Sequence, residues 1–355
     1  MQKLTFVAQD NTFFNVLKER IDSYFKEKGV LPTGNYKLYS KTIILGITAT
    51  TLYTILVFFT PVWWLALPLC ALLGVNFASI GFNVMHDSCH GSYSSKKWVN
   101  ELFGYSLDSM GASSFIWKVR HNLVHHSFTN IYGHDDDIDI QPFMRTSRDQ
   151  PINKFHKYQY WYCFPLYGLT YLSWVFLVDF RYYFSRRIAN KKISSISIKD
   201  HITFWGSKLF YTTMVLVIPS IVVGVIPTLI GFFIMASICG LFISVILQLA
   251  HLVEACDFPV PEEKTGNIEN QWAVHQMETT TNFATSNKAL SWLLGGLNFQ
   301  IEHHLFPRVS HVHYNEISRI VKEVCKDFNV RYYEYKTFFQ ALKSHVRYLK
   351  TVGVI

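Results

Sequence analysis

The chain has 355 residues, of which 50% are hydrophobic, 16% are aromatic and 16% are charged. In soluble domains about a quarter of the residues are charged, so this composition excludes an ordinary soluble protein and indicates a membrane protein. The formal net charge of +8 is spread over the segments outside the apolar stretches, without a motif for RNA or DNA. It therefore indicates contact with an anionic membrane surface and argues against nucleic acid. Six cysteines stand singly, so we expect reduced thiols and no disulfide framework.

The first 41 residues are predicted to form a cytoplasmic N-terminal helix. Asp10 and Asn11 can cap a helix in which Leu17 and Ile21 share one face. We expect no signal peptide in this segment, because no apolar region follows its basic start.

Two long runs, 42–86 and 209–253, contain no Asp, Glu, Lys or Arg. A membrane-spanning helix needs about 20 apolar residues, so each run predicts two spans joined by a tight turn. The turns are expected near Pro61 and between Pro219 and Pro227. The fold class is therefore an all-α membrane protein with four transmembrane helices in two hairpins. Because every Lys and Arg lies outside these runs, both termini are predicted to be cytoplasmic.

A third uncharged run, 158–178, is also long enough to span the membrane and is rich in Tyr and Trp. A single crossing here would place the two histidine clusters before it and the one after it on opposite sides of the membrane. Amphipathic aromatics favour the headgroup boundary, and Pro165 with Gly168 is expected to break the run. We therefore predict an interfacial or re-entrant helix pair.

After Pro307 the pattern becomes amphipathic and predicts helices of a cytoplasmic cap. The whole chain, 1–355, is expected to be one domain. Its predicted segments are the N-terminal helix (1–41), hairpin 1 (42–86), a cytoplasmic and interfacial segment with two histidine clusters (87–208), hairpin 2 (209–253) and the cap with the third cluster (254–355).

Histidines recur in three clusters and at the end of the second hairpin. In an α-helix His86 and His90 lie on one face, as do His121 and His125, whereas His126 is turned by about 100°. A histidine at membrane depth, such as His251, is a functional candidate. The predicted metal ligands are His86, His90, His121, His125, His126, His251, His303 and His304, with Gln300 as an open ninth position.

Eight imidazoles predict two metal ions, because a tetrahedral zinc takes four ligands and a catalytic zinc takes three. Imidazole suits iron, zinc and copper alike. Ligating histidines usually pass their second N–H to a carboxylate or carbonyl, and Asp135, Asp137, Glu254 and Glu302 lie close in sequence for that purpose. An alternative is a zinc-hydrolase motif at His86-Asp87-x-x-His90, which would leave the other two clusters unexplained.

The spacings H-x3-H, H-x3-H-H and Q-x2-H-H, in this order between two apolar hairpins, resemble the integral-membrane fatty acid desaturase family. The third cluster, led by Gln300, resembles the front-end branch, which inserts a double bond between an existing one and the carboxyl end. The resemblance covers about residues 42–308. It implies a non-haem di-iron centre, ligated by the eight histidines, that uses O2 and two electrons to remove two hydrogens from an acyl chain carried by CoA or a lipid.

The resemblance further implies a separate electron donor of the ferredoxin or cytochrome b5 type, because the sequence lacks the His-Pro pair of a fused cytochrome b5 domain. Lys118 and Arg120 are candidates for holding the substrate headgroup. The active site is expected on the cytoplasmic side of a bacterial inner membrane or of the endoplasmic reticulum. Two alternatives stay open: a hydroxylase, conjugase or ketolase with the same histidines, and a non-catalytic membrane protein that binds or transports metal.

Overall fold

The computed structural model describes residues 4–6 and 12–354, and most of them are helical. The predicted cap at Asp10 and Asn11 lies outside the described residues. The α-helices, in chain order, are α1 Thr12–Lys28, α2 Tyr36–Phe58, α3 Trp63–Ile80, α4 His86–His90, α5 Lys97–Gly104, α6 Ser106–Ser109, α7 Ser114–Trp117, α8 His126–Phe128, α9 Gln159–Ser173, α10 Asp179–Ser185, α11 Ile198–Thr212, α12 Ile218–Val223, α13 Val225–His251, α14 Trp272–Thr279, α15 Lys288–Leu293, α16 Gln300–Leu305, α17 Tyr314–Asp327 and α18 Phe338–Val352.

Shorter elements join or extend these helices. The π-helical segments are Gly81–Met85, Lys118–His125, Trp174–Val178 and Thr213–Val217, and 3-10 turns lie at His156–Tyr158 and His311–His313. The strands are β1 Thr5–Phe6, β2 Arg187–Ile188, β3 Lys191–Lys192, β4 Asn267–Ile268, β5 Asn282–Phe283 and β6 Glu334–Tyr335. β1 pairs with β4 and β5 with β6 in parallel, and β2 pairs with β3 antiparallel.

Among the described residues, five continuous helices are long and apolar enough to cross a membrane: Tyr36–Phe58, Trp63–His90, His156–Ser185, Ile198–Val223 and Val225–His251. The turns of the two hairpins fall at residues 59–62 and at Gly224, within the predicted intervals.

Two of these helices begin before the predicted charge-free runs, at Tyr36 and Ile198. The predicted starts of the hairpins, at residues 42 and 209, were therefore wrong. The extra turns include Lys41 and Lys208, and both side chains are buried. Lys41 Nζ donates to Asn83 Oδ1 at 3.0 Å, and Lys208 Nζ donates to Asp179 Oδ2 at 2.7 Å. Buried partners of this kind let a helix carry a lysine where charge alone would have ended it.

The predicted break at Pro165 and Gly168 is also wrong, because the helix His156–Ser185 runs through both residues. Its middle packs closely against α13. A Cβ on Gly240 of α13 would lie 2.8 Å from the backbone nitrogen of Tyr171. Close backbone packing against a neighbouring helix supports the turn that proline weakens.

The two ends of this helix reach the same polar segment, residues 129–155. At its start, the Gln159 side chain accepts from the Arg145 backbone N–H at 2.8 Å and donates to the Leu349 carbonyl at 2.8 Å. Beyond its end, Asn190 Nδ2 in the turn between β2 and β3 donates to the Gly133 carbonyl at 2.8 Å. A residue near the start of the helix and a residue beyond its end are therefore hydrogen-bonded to the same segment.

Helix α1 packs against α17. α1 buries Leu17 and Ile21 in one apolar cluster with Ile317 and Val321 of α17. Ile301 of α16 belongs to the same cluster, so the third histidine segment packs against these helices. Burial of such side chains contributes about 1.5–3 kcal/mol each.

Candidate metal centre

The first histidine pair ends a long helix. The π-helical turn Gly81–Met85 leads into α4, and Gly91 closes it in the left-handed conformation at φ 78°. His86 and His90 are both buried, with ring centroids 4.7 Å apart. Both imidazoles therefore lie together at the C-terminal end of the helix.

The second cluster lies on the π-helical segment Lys118–His125 and the following α8. Hydrogen bonds in a π-helix run from i to i+5, so the α-helical rotation assumed for His126 was wrong. His121 and His126 stand five residues apart and meet with their Nε2 atoms 3.2 Å apart. His125 instead faces His251, with ring centroids at 4.9 Å.

The third cluster lies on α16, where consecutive side chains point in different directions. The ring of His303 lies 4.4 Å from that of His86. The ring of His304 lies 4.4 Å from His126 and 4.9 Å from His251. Adjacent residues thus serve two neighbouring sites.

The eight predicted histidines form two groups with one residue between them. Within each set below, the potential ligand atoms lie within 4.8 Å of one another, and all of these residues are buried. One set is His86, His90, His121 and His303, another is His125, His251 and His304, and His126 joins His303 and His304 in a third.

Outward-facing ring nitrogens have hydrogen-bond partners, which fixes the orientation of the rings. The Nδ1 contacts are His121 to Asp137 Oδ2 (3.3 Å), His125 to Asp135 Oδ1 (3.0 Å), His251 to the Thr279 carbonyl (3.2 Å), His303 to the Tyr314 hydroxyl (3.1 Å) and His304 to Gln276 Oε1 (2.8 Å). Acceptors at Nδ1 select the tautomer with the lone pair on Nε2, the usual arrangement around a ligated metal.

Five other ring nitrogens of the cluster have no such partners. Nε2 of His86, His90, His303 and His304 is buried without a hydrogen bond, and so is Nδ1 of His126. An unsatisfied buried polar group costs about 1–3 kcal/mol, which makes this concentration unfavourable unless a ligand occupies the space. Converging imidazole lone pairs fit metal cations.

The charge state of the rings supports the same conclusion. Burial and then the neighbouring rings hold the pKa of His121, His126, His303 and His304 well below the usual range. These rings are neutral and free to donate lone pairs. Burial also acts on His125, but the facing carboxylate of Asp135 leaves its pKa raised.

The sequence matches the family described as Fatty acid desaturase over residues 62–336. The chain belongs to this family. It is 36% identical to a protein of Arthrospira platensis named sn-1 linoleoyl-lipid 6-desaturase, covering 99% of this chain and 95% of that protein. A protein of the same name from Synechocystis sp. is 35% identical, with 98% and 97% covered. An acyl-lipid (8-3)-desaturase of Physcomitrium patens is 36% identical, with 98% and 73% covered.

These similarities establish a membrane oxidoreductase that desaturates fatty acyl chains, as the spacing of the histidines suggested. Members of the family use iron, which matches the all-imidazole donor set of this desaturase.

Two of the four acidic residues predicted to contact histidines do so, namely Asp135 and Asp137. The same prediction for Glu254 and Glu302 was wrong. Glu254 is exposed. The Glu302 carboxylate is buried and accepts from Asn282 Nδ2 at 2.7 Å and from the Tyr332 hydroxyl at 2.9 Å, and burial raises its pKa to about 7. Proximity in sequence failed here because neighbouring helix residues face different directions.

One glutamine that contacts a histidine of the centre is Gln276, and the role of Gln300 stays a prediction. Gln276 Oε1 accepts from His304 Nδ1 at 2.8 Å and from Thr129 Oγ1 at 3.1 Å. Gln300 is buried as the first residue of α16. The distance in sequence between Gln276 and His304 gave no indication that the two side chains meet.

The predicted headgroup residue Arg120 has partners inside the desaturase. Its Nε lies 2.5 Å from Asp137 Oδ1, and its Nη2 donates to the Asp136 carbonyl at 3.3 Å. Arg120 therefore orients the carboxylate that holds His121. Lys118 is partly exposed, and its headgroup role stays a prediction.

A further buried network joins the first and third histidine segments, and no spacing in the sequence indicated it. Asp87 Oδ2 accepts from Ser310 Oγ at 2.7 Å and contacts His311 Nδ1 at 3.0 Å. Lys41 Nζ donates to His311 Nε2 at 3.0 Å. The helix that carries His86 is thereby tied to the chain that follows α16.

An apolar wall lies against the centre. Trp117 stacks on His121 with ring centroids 4.4 Å apart and meets His86 and His90 edge-on at 5.7 Å. It belongs to the largest apolar cluster, which extends through Met85 and other side chains between the hairpins.

Proposed function

We propose that the desaturase inserts a front-end double bond into an acyl chain of a membrane lipid, at a centre of two iron ions that uses O2 and two electrons. The observation that carries this proposal is the division of eight buried histidines into two groups with converging lone pairs. The proposed overall reaction converts –CH2–CH2–, O2, two electrons and two protons into –CH=CH– and two water molecules.

We assign the ligands by these groups. His86, His90, His121 and His303 would hold one ion, His125, His251 and His304 the other, and His126 lies between them. We leave Gln300 outside the ligand set, because the amide facing His304 is that of Gln276.

Bound iron and O2 supply the oxidant for an unactivated C–H bond, a task for which side chains alone have no chemistry. The protein positions the imidazole rings and the acyl chain and excludes water from the site. Hydrogen bonds at Nδ1 hold the rings, and the buried apolar cluster excludes water from the reacting carbons. The indole of Trp117, in contact with three of the histidine rings, would hold the acyl chain beside the centre.

We propose that the acyl chain enters between α6 and α11. An open cavity of about 720 Å³ lies there, lined by Tyr105, Asp108, Ile202 and Phe210 among others. Leu107 precedes the lining residue Asp108 in sequence and belongs to the same apolar cluster as Trp117. We propose that the side chains of this cluster lead the acyl chain from the cavity to the centre.

The proposed substrate form and regiochemistry rest on two supports. The relatives from Arthrospira platensis and Physcomitrium patens are named for acyl-lipid substrates, so we infer a lipid-linked chain in preference to acyl-CoA. The third cluster begins with Gln300, the pattern of the front-end branch.

We propose four membrane spans, with both termini and the metal centre on the cytoplasmic side of the membrane. We also propose that the whole chain forms one desaturase domain. The helix His156–Ser185 would lie within the cytoplasmic half of the bilayer. Gln159 near its start contacts Arg145, and Asn190 beyond its end contacts Gly133; both partners belong to a segment rich in aspartates that has no span of its own. A helix of about 45 Å can keep both ends on one side only at a shallow angle.

We further propose that a separate one-electron carrier, of the ferredoxin or cytochrome b5 type, reduces the centre. The reduction of O2 to two water molecules takes four electrons, and the acyl chain supplies two of them, so two more must come from a donor.

The function is tested by expression in a host with known lipids and a supplied carrier, with mass spectrometry of the acyl chains. We expect products lighter by two hydrogens, with the new double bond on the carboxyl side of an existing one. The matched His303→Ala variant should give none. Products heavier by one oxygen would indicate a hydroxylase instead, and an unchanged lipid profile from iron-loaded protein would refute the proposal.

A further inference from the structure

A strongly basic segment lies next to the second histidine cluster. Residues 181–192, here called the basic hairpin, include β2 and β3 and contain no acidic residue. Its cationic side chains are all exposed: Arg181, Arg186, Arg187, Lys191 and Lys192. The antiparallel pairing of Arg187 with Lys192 concentrates these charges on a small surface.

The basic hairpin is fixed to the segment that carries the second cluster. Ile188 is fully buried in an apolar cluster with Ile116 and Val124. Asn190 Nδ2 donates to the Gly133 carbonyl at 2.8 Å. The positive charges are therefore held in place beside the centre.

Asp137 contacts a ring of the centre, and the Oδ2 atom of its neighbour Asp136 lies 3.9 Å from Nη2 of Arg181 on this surface. The side chain of Asp137 is 22% exposed, and its Oδ2 lies 3.3 Å from Nδ1 of His121. The partners of other rings, Asp135, Gln276 and Tyr314, are fully or almost fully buried. The negative charge of Asp137 is balanced by Arg120 at 2.5 Å, so it does not repel an approaching anion strongly.

We propose that the basic hairpin is the docking site of a small acidic one-electron carrier protein, and that electrons enter through the Asp137–His121 contact. This inference rests on the proposed function. Two carriers would each lose one electron per turnover, and with two protons they complete the reduction of O2 to two water molecules as the acyl chain loses two hydrogens. Opposite charges on two protein surfaces steer encounter and make association sensitive to salt.

An anionic membrane surface is the competing partner for the same charges. Exposed Phe184 and Trp205 lie near the basic hairpin and are suited to the bilayer boundary. The carrier is favoured because the hairpin is anchored to the segment that leads to Asp137 and His121. Lipid binding alone would not require that anchoring.

Binding is measured first, on iron-free protein in nanodiscs of phosphatidylcholine, with a plant-type [2Fe–2S] ferredoxin as the probe. The test variant is Lys191→Glu with Lys192→Glu, and the matched control is Lys26→Glu with Lys28→Glu on α1, where both lysines are also exposed. We expect the Kd for ferredoxin to rise about tenfold in the test variant and to change less than about twofold in the control. The salt dependence of binding should flatten only in the test variant.

Turnover is then compared with two electron sources. With NADPH-reduced ferredoxin, the test variant should show a KM for ferredoxin raised about tenfold, whereas turnover with reduced methyl viologen should match the wild type. Equal weakening in both variants would overturn the proposal. Unchanged ferredoxin binding with weaker binding to vesicles containing phosphatidylglycerol would overturn it too and assign the hairpin to lipid. If the wild type binds ferredoxin but forms no product with either source, the proposed function fails and the docking site stands.

Discussion

At the scale of single residues, the two nitrogens of His303 and of His304 lie in different surroundings, because Nδ1 has a hydrogen-bond partner and Nε2 is buried without one. Nδ1 of His125 is held by Asp135, whereas Nε2 of His304 is buried without a partner. The outward hydrogen bond fixes the ring, and the inward lone pair is left for a metal. Changes to the outer partners should therefore affect metal affinity without removing a ligand.

Asp135→Asn tests this division. Asp135 also accepts from the backbone N–H groups of Asn130 at 2.9 Å and Asp137 at 3.0 Å, so the variant weakens several contacts at once. We expect iron affinity to fall about 10- to 100-fold, measured as iron per protein during titration with a chelator. Glu254→Gln is the control, and its iron content should equal that of the wild type. Equal losses in the two variants would contradict the assignment.

The two buried glutamines provide a second comparison. Gln276→Leu removes the acceptor of the His304 N–H and should lower iron affinity by about tenfold or more. Gln300→Leu should retain most of the iron, because we place that amide outside the ligand set. The readout is the iron content of each purified variant at the same chelator concentration. A larger loss in Gln300→Leu would restore Gln300 as a ligand.

Seven of the eight histidines could be selected from the sequence because their spacing within each cluster is local information, and His251 could be selected from its place at the end of an apolar run. Their partners could not be selected in this way. Gln276 and Tyr314 reach the centre through contacts between segments distant in sequence, which no spacing encodes. Glu254 and Glu302 were chosen for proximity along the chain, and side-chain direction excluded both.

At the scale of elements, the hairpins follow from charge-free runs, whereas the π-helical segments do not. An apolar run indicates a helix but not its hydrogen-bond register, so the meeting of His121 with His126 could not be predicted. The continuous helix His156–Ser185 was missed for a related reason. Its stability depends on packing against α13, and Pro165 alone suggested a break.

Gly240→Ala tests the packing of α13 against α9. The added methyl group would lie 2.8 Å from the Tyr171 nitrogen and 2.9 Å from the Tyr167 carbonyl, and backbone atoms cannot easily move away. We expect a loss of about 1–3 kcal/mol, seen as a lower midpoint of thermal unfolding in detergent. Gly46→Ala is the control, because nothing lies within 4 Å of its added Cβ and alanine is the better helix former. An unchanged midpoint for Gly240→Ala would show that the helices can separate.

At the scale of the whole molecule, the proposed four spans leave one of the five long helices without a crossing of the membrane. The positive charges restrict the choice, because the exposed basic residues at 148 and 192 flank the helix His156–Ser185 on its two sides in sequence. If that helix crossed the bilayer once, these residues would lie on opposite sides of the membrane. The contacts of both its ends with the segment 129–155 favour the same side.

Labelling of single cysteines decides between these arrangements. The six native cysteines are all buried, so background reaction with a membrane-impermeant maleimide should be low. We expect Arg148→Cys and Lys192→Cys both to be labelled from the cytoplasmic side of sealed vesicles, and Thr60→Cys, in the turn of the first hairpin, only from the other side. Labelling of Arg148→Cys and Lys192→Cys from opposite sides would establish a fifth crossing. That result would overturn the proposed topology, in which both ends of the helix lie on the side of the polar segment 129–155, a segment that cannot cross the hydrocarbon core.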